Sequence, residues 1–518
     1  MNSGKMSLSK SSIFTSLMFL VLLLASQSAG AFDYYNSREL VLDINISNTI
    51  HIIPETADYE VRWAKAYLSF YPKQDFRQQL RSVTSVPKSQ IEDDTYLFEW
   101  TEPEESELSM SLDSEVLTKN TLTEVTKKVD FPIRSLPPDM GPYLEATAYI
   151  DYMDPDIEAL ASSLASGEDD LYKTVHKLAV WVNENIDYSL NTLTADVSQP
   201  ASWVLENRQG VCDELTSLFI AMCRSVGIPA RFVSGVSYSD AGAEPGWSPH
   251  GWSEVYFPGY GWISFDVTYG QLGYIDASHV KLKTSTDSNK SSTRYEWLGR
   301  DVDVSTGRLD IDTSVISSGA PGQPLVELSA GFAKDKIALE SYNAFELVVK
   351  NPHNYYVSTQ LLLSRTEQLT LASPGERFVL LGPGESRTEH WLFNIGGLDN
   401  NYIYNFSISA TTLRNQTAKA SFSSLSTRKS YSKAEIEEYI ELNQEEEEKT
   451  YSKELELDCV SEAIYFVGQA GHANCTLYNT GNVALEGLDV CLAQDCHTLD
   501  LGIGRRESVA FEISPEEE

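Results

Sequence analysis

The chain has 518 residues, of which 42% are hydrophobic and 11% aromatic, enough for three or four domains of ordinary size. Lys and Arg number 39 against 75 Asp and Glu, a formal net charge of −36. That balance argues against nucleic acid or an anionic membrane surface as the main partner, and is read as a well-solvated acidic exterior.

Residues 1–31 read as a signal peptide. Lys5 and Lys10 precede an apolar run from Ile13 to Ala25, and Ala29-Gly30-Ala31 fits a small-residue cleavage site. The run is short for a membrane span, although a retained N-terminal anchor is the alternative. No second hydrophobic segment follows, so the mature chain is expected to be extracellular or at the cell surface, with no further span. Five Asn-x-Ser/Thr sequons, at Asn45, Asn289, Asn405, Asn415 and Asn474, suit such an exposed chain.

Residues 32–150 alternate apolar and polar side chains. Leu40, Leu42, Ile44 and Ile46 fall on one face, and Tyr67 to Tyr71, Tyr96 to Trp100 and Leu108 to Leu112 continue the pattern. Period-two patterning with short acidic or Pro-containing breaks predicts an N-terminal β-sandwich that packs against the next domain or restricts access to it.

The period changes over residues 151–283. Ile157, Leu160, Ala161 and Leu164 form one helical face, and Leu171, Val175, Leu178, Val182 and Ile186 a longer one. A third helix follows Gly210, with Leu215, Leu218, Phe219, Met222 and Val226 on its buried side, ended by Gly227 and Pro229. Cys212 lies on that face at the first turn, where the helix dipole favours a thiolate; Asp213 and Glu214 oppose it, so a nearby base is required. Trp252 to Phe257 and Trp262 to Val267 read as a hairpin joined by Pro258-Gly259-Tyr260-Gly261. A two-residue loop pairs Asp266 with Ser253 and turns His250 to the other face. A three- or five-residue loop, or a bulge, pairs Asp266 with Trp252 and brings His250 onto the same face. The catalytic reading needs that shift: Cys212 as nucleophile, His250 as base and then acid, Asp266 orienting the imidazole.

Four short motifs carry a family resemblance: Gly210 to Glu214, Gly227-Ile-Pro-Ala-Arg231, His250-x-Trp-x-Glu-Val-Tyr256 and Gly261-Trp-x-x-x-Asp266. Together they resemble the transglutaminase-like superfamily of papain-like cysteine enzymes. The resemblance implies an α+β core from about Asp156 to Leu282 and a Cys-His-Asp triad. It also implies attack on an amide carbonyl to form a thioester, released to an amine or to water. Acyl transfer needs oxyanion donors. The Cys212 backbone N–H is a natural one, and Tyr188, Gln199, Trp203 and Trp252 are side-chain or cleft candidates. The loop Asp240 to Pro249, with Glu244 and Trp247, borders the cleft or the surface. His279 with His250 lacks a third ligand at recognisable spacing, so no metal and no cofactor are expected. His176 reads as structural.

Residues 284–321 read as a flexible linker. Strands resume over 322–427, an Ig-like β-sandwich punctuated by Asn351-Pro352 and Gly382-Pro383-Gly384. Residues 428–455, with Glu445 to Glu448, read as an acidic helical linker. Residues 456–518 form a small Cys-containing β domain. Of six cysteines, Cys212 and Cys223 share a helix about 16 Å apart along its axis, out of disulfide reach. Cys459, Cys475, Cys491 and Cys496 favour two disulfides with three possible connectivities, of which proximity alone favours Cys459–Cys475 with Cys491–Cys496; a four-Cys zinc site is the rival, without a Cys-x-x-Cys knuckle to support it. The whole reads as an exported cysteine enzyme, α+β in class, with a papain-like transglutaminase core between β-sandwich modules, acting on a protein or peptide substrate at the cell surface. The alternative is a non-catalytic surface scaffold or binding module that keeps the fold.

Overall fold

The computed structural model describes residues 34–189, 198–240, 245–289, 291–444, 449–461, 471–492 and 494–513. Residues 1–31, read from sequence as a signal peptide, lie outside the described residues, as do Glu244 and Glu445 to Glu448.

The N-terminal sandwich is built on strand Glu39–Pro54, whose Leu40, Leu42, Ile44 and Ile46 are at most 1% exposed. It pairs antiparallel with Glu107–Lys119 on one side. On its other side it pairs with Asp310–Ser318 and Val302–Thr306 in succession. In the facing sheet, Thr293–Arg300 pairs with Glu60–Leu68. This corrects the linker reading of 284–321: the chain leaves the core and returns to complete the first sandwich. The segment looks like a linker because edge strands bury one face only. Tyr295, Val302, Val304, Leu309, Ile311 and Val315 lean on the sandwich core while Asp303, Ser305, Asp310, Asp312 and Ser314 between them face water.

The core domain opens with helix α1 (Pro155–Ala165), capped by Asp154, and helix α2 (Leu171–Asn185), capped by Asp170, whose carboxylates accept first-turn N–H groups. Helix α3 (Ala201–Asn207) and helix α4 (Cys212–Ser225) follow. An antiparallel sheet packs against them in the order Gln271–Leu272, Gly261–Asp266, Gly246–Phe257, Ala230–Ser239, His279–Ser285. Every residue of α4 from Glu214 to Ser225 is buried, so this helix is central rather than amphipathic. Its polar side chains are satisfied inside: Thr216 donates to Gly251 O, and Arg224, 1% exposed, donates to the carbonyls of Glu145, Ala230 and Thr286. Trp247, read as part of a loop, lies on strand Gly246–Phe257 and packs on Tyr34 and Tyr238, because pairing with Ala230–Ser239 extends the strand back to Gly246.

The following module has two sheets, one centred on Tyr342–Lys350 and Ser386–Ile395, the other on Tyr404–Thr412 and Val357–Arg365. Tyr356 joins it to the core by stacking on Tyr172 and donating to Asp170, and His176 of α2 contacts Ser358 at 3.0 Å. The acidic segment contains helix α5 (Lys433–Asn443), anchored by Ile436 against Ala344 and Leu392. In the last module, Cys459–Cys475 and Cys491–Cys496 are disulfides between directly opposed strand residues. Cys223 is a free, fully buried thiol. Among the described residues, no helix is long and apolar enough to cross a membrane.

Native protein exposed briefly to trypsin should resist cleavage at Arg294 and Arg300, because both sit in paired strands. Rapid cutting there, read by mass spectrometry, would restore the linker reading.

Candidate active site

The hairpin has a three-residue loop. Phe257 faces Gly261 across Pro258, Gly259 and Tyr260, and Ser253 faces Phe265, which sets Asp266 beside Trp252. This is the register that the triad requires, and it turns His250 and Asp266 to one face. His250 Nε2 lies 2.7 Å from Asp266 Oδ2, with the two residues 6% and 0% exposed. Asp266 Oδ1 accepts the backbone N–H groups of Thr268 and Tyr269.

Cys212 is the first residue of α4, partly exposed and free. Its helix start is held by Glu214, whose carboxylate accepts the N–H of Val211 at 2.8 Å and of Gln199 at 3.1 Å. Glu214 thus caps the helix and fixes the approaching loop, so its charge is already engaged. Asp213 Oδ1 sits 3.7 Å from the Cys212 sulfur. Burial pushes the Asp213 carboxyl up, against the pull of the His250 charge. Gly251 is required here: a Cβ would meet Asp213 Oδ1 at 2.4 Å and the Phe232 ring at 2.6 Å.

Burial opposes a charge on His250, yet the Asp266 carboxylate and then Cys212 raise its imidazole to about 9. Asp266 is likewise disfavoured by burial, but the His250 and His279 rings hold it well below the usual carboxylate range. The His250 ring stacks on Tyr269, centroids 4.5 Å apart, and runs nearly parallel to Trp252 at 6.1 Å.

Sequence reasoning missed the part played by His279. It is fully buried, with Nε2 3.0 Å from Asp266 Oδ2 and Nδ1 3.1 Å from Asp276 Oδ1. The facing atoms of His250, Asp266 and His279 lie within 4.8 Å of one another. Their 2.7 and 3.0 Å contacts are those of charge-assisted hydrogen bonds through Asp266 Oδ2. The strand partners of His279 lie across Ala230–Ser239, out of reach of any local spacing rule.

A second missed group is the ion cluster beneath the sheet. Arg231 faces Glu254 across paired strands and donates to Glu254 Oε2 through Nε and Nη2 at 2.8 and 2.6 Å. Lys281 bridges Glu254 to Asp75 of the N-terminal sandwich, and Arg231 lies over the Trp262 ring. Three of the four motifs therefore meet in one structural cluster. Correct strand register alone would have paired Arg231 with Glu254.

The remaining candidates are spread. Tyr188 pairs in register with Gly210, is 54% exposed, and lies near Cys212; burial first and then that thiol raise its hydroxyl to about 12. Gln199 is half-buried and held by its backbone. Trp203 lines a separate cavity with Asp154, Asp156 and Arg208. Trp252 is fully buried between Val233 and Ile275, its indole N–H without a partner among the described residues. A cavity of about 370 Å³ opens beyond Tyr269, where Tyr35, Asp240, Tyr274 and Arg414 bring three modules together.

Comparison with known proteins places this geometry in a class. Residues 158–267 match the profile of the transglutaminase-like superfamily, so the chain carries a transglutaminase-like core. The protein YebA of Bacillus subtilis is 30% identical over 128 residues, which are 22% of this chain and 17% of that one; the match spans about a sixth of that relative. Among solved structures, a candidate cysteine protease from Cytophaga hutchinsonii is 20% identical over 56% of this chain and 95% of its own, with a TM-score of 0.41. Red sea bream transglutaminase is 10% identical over 89% and 88% of the two chains, with a TM-score of 0.22.

Two outcomes follow. In an NMR titration, His250 should be protonated at neutral pH and lose its proton near pH 9. Because its folded value is raised above the free imidazole value of about 6.5, the stability it contributes is complete below that value and is lost as pH rises through about 9. Gly251→Ala should destabilise the protein by about 1–3 kcal/mol in urea unfolding, since the added Cβ would press on the Asp213 carboxylate and the buried Phe232 ring.

Proposed function

We propose that this chain is an exported cysteine acyltransferase or amide hydrolase acting on protein or peptide amides through a thioester on Cys212. The observation that carries the reading is the His250–Asp266 pair, buried and in contact at 2.7 Å, with its ring beside a free thiol at a helix start.

Asp266 accepts only, so His250 keeps a proton on Nε2, and Nδ1 is the nitrogen left to take the thiol proton. Cys212 sulfur attacks the amide carbon, and the carbonyl π electrons move to its oxygen. The Cys212 backbone N–H at the first turn of α4 faces the developing charge, and Tyr188 is the side-chain donor we assign. Collapse of the adduct breaks the C–N bond, with the His250 proton passing to the leaving nitrogen. Water or an amine then gives its proton to His250 and attacks the thioester, and the proton returns to the departing sulfur. The two disulfides suit an oxidising compartment and support the exported setting.

The test is iodoacetamide labelling of the purified protein across pH, read at Cys212, with His250→Ala alongside, followed by screening of glutamine peptides with and without amines. Rapid labelling of Cys212 that collapses in the variant is expected, with turnover reduced on the order of 10²-fold or more. Slow labelling in both proteins would leave the fold as a scaffold. Tyr188→Phe should lower kcat by roughly 10²-fold with KM little changed, and an unaltered kcat removes it from the oxyanion role.

A further inference from the structure

We infer that His279, clamped between Asp266 and Asp276, is a positioning residue that sets the proton affinity of His250 and fixes the carboxylate that orients it. The inference deepens the reading of Cys212, His250 and Asp266 as the working site and rests on it.

The argument begins with a count of donors. Asp266 Oδ2 receives both His250 Nε2, at 2.7 Å, and His279 Nε2, at 3.0 Å. An ionised carboxylate only accepts, so each ring must carry its Nε2 proton. His279 Nδ1 faces a second carboxylate, Asp276 Oδ1, at 3.1 Å. That group also accepts the N–H and O–H of Ser278 and, through Oδ2, the Gln271 amide. Nδ1 must then be protonated as well, and His279 is an imidazolium. Asp266, His279 and Asp276 are all at most 2% exposed, so no water competes for these contacts.

A row of alternating charges results: Asp276, His279, Asp266, His250 and then the thiol. A lone Asp266 would hold the His250 proton as tightly as one buried carboxylate can. A fixed cation on the same oxygen, its ring centroid 5.6 Å from that of His250, takes part of that attraction and repels a second positive charge. His250 therefore releases a proton to a leaving amine more readily than it would with Asp266 alone. The other groups packed on His279 are the rings of Trp252 and Tyr269, both uncharged. Behind Asp276 stands Arg77 of the N-terminal sandwich, buried and donating to the Asp276 carbonyl at 2.6 Å, while Thr118 of the same module donates to Ala277 O. The N-terminal module thus holds the far end of the row.

The test is a histidine ¹⁵N NMR titration of the full chain, in wild type, His279→Gln and Asp276→Asn, with His250→Ala to assign the His250 signal. Wild-type His279 should carry protons on both nitrogens at about pH 7, where a free imidazole is mostly neutral. In His279→Gln the His250 midpoint should move up by roughly half a pH unit or more, as the neighbouring cation is gone. Asp276→Asn, which removes one carboxylate but keeps both rings, should move it up by less. A neutral His279 in the wild type overturns the proposal, and this holds even where a variant fails to fold. A His250 midpoint that is unchanged or lower in folded His279→Gln overturns it as well. Both readouts are independent of Cys212 labelling, so failure of the acyl-transfer reading is seen separately. With an active substrate, His279→Gln should displace the alkaline limb of kcat upward and leave KM alone; a purely structural residue would lower activity without moving that limb.

Discussion

The site turns on a single oxygen. Asp266 Oδ2 lies in a region closed to water and is approached by two imidazole nitrogens. Burying a carboxylate is costly unless its charge is matched and its lone pairs are filled. Here one oxygen takes two ring N–H groups and the other takes two backbone N–H groups from the turn that follows. With all of these in place the carboxylate stays charged, and the charge keeps His250 protonated where burial alone would strip it. The rest of the core can be understood as what is needed to hold that oxygen in place.

Helix α4 serves the same end from the side of Cys212. It is buried on every face, so the position of Cys212 is fixed by packing on all sides rather than by one apolar stripe. Val211 offers no side-chain cap, and Glu214 reaches back to accept the N–H groups of Val211 and Gln199, which ties the incoming chain to the helix start. A negative residue that looks unhelpful beside a thiol is thereby engaged by backbone N–H groups.

The flanking modules are more than covers. Asp75, Arg77, Gln78 and Thr118 of the N-terminal sandwich all contact the stretch from Asp276 to Lys281 that carries His279. The sandwich is itself finished by strands that follow the core in sequence. The two units are therefore interleaved, and neither boundary can be cut without unpairing strands in one of them. Tyr356 and Ser358 bring the Ig-like module against α2 in a comparable way.

Much of this was legible in the chain. The helices declared themselves by period and by Asp154 and Asp170 before them, and the strands of the first sandwich by alternation. The order of Cys212, His250 and Asp266 within short motifs pointed to one chemistry, and the spacing of the four later cysteines pointed to their pairing. These are local signals, carried by residues close in sequence. The hairpin register was undecided because a two-residue loop, a three- or five-residue loop and a bulge all fit Pro258-Gly259-Tyr260-Gly261; in the fold Gly246–Phe257 pairs with Ala230–Ser239, Phe265 packs on Phe219 of α4, and the loop has three residues. Strands Thr293–Arg300 and Asp310–Ser318 looked like linker because half their side chains face water, and only their partners about 230 and 270 residues earlier identify them. His279 was set aside for the same reason. Nothing near it in sequence names Asp266 as its partner, and a shared oxygen arises only when the strand at the edge of the sheet brings His279 to Asp266 beside His250.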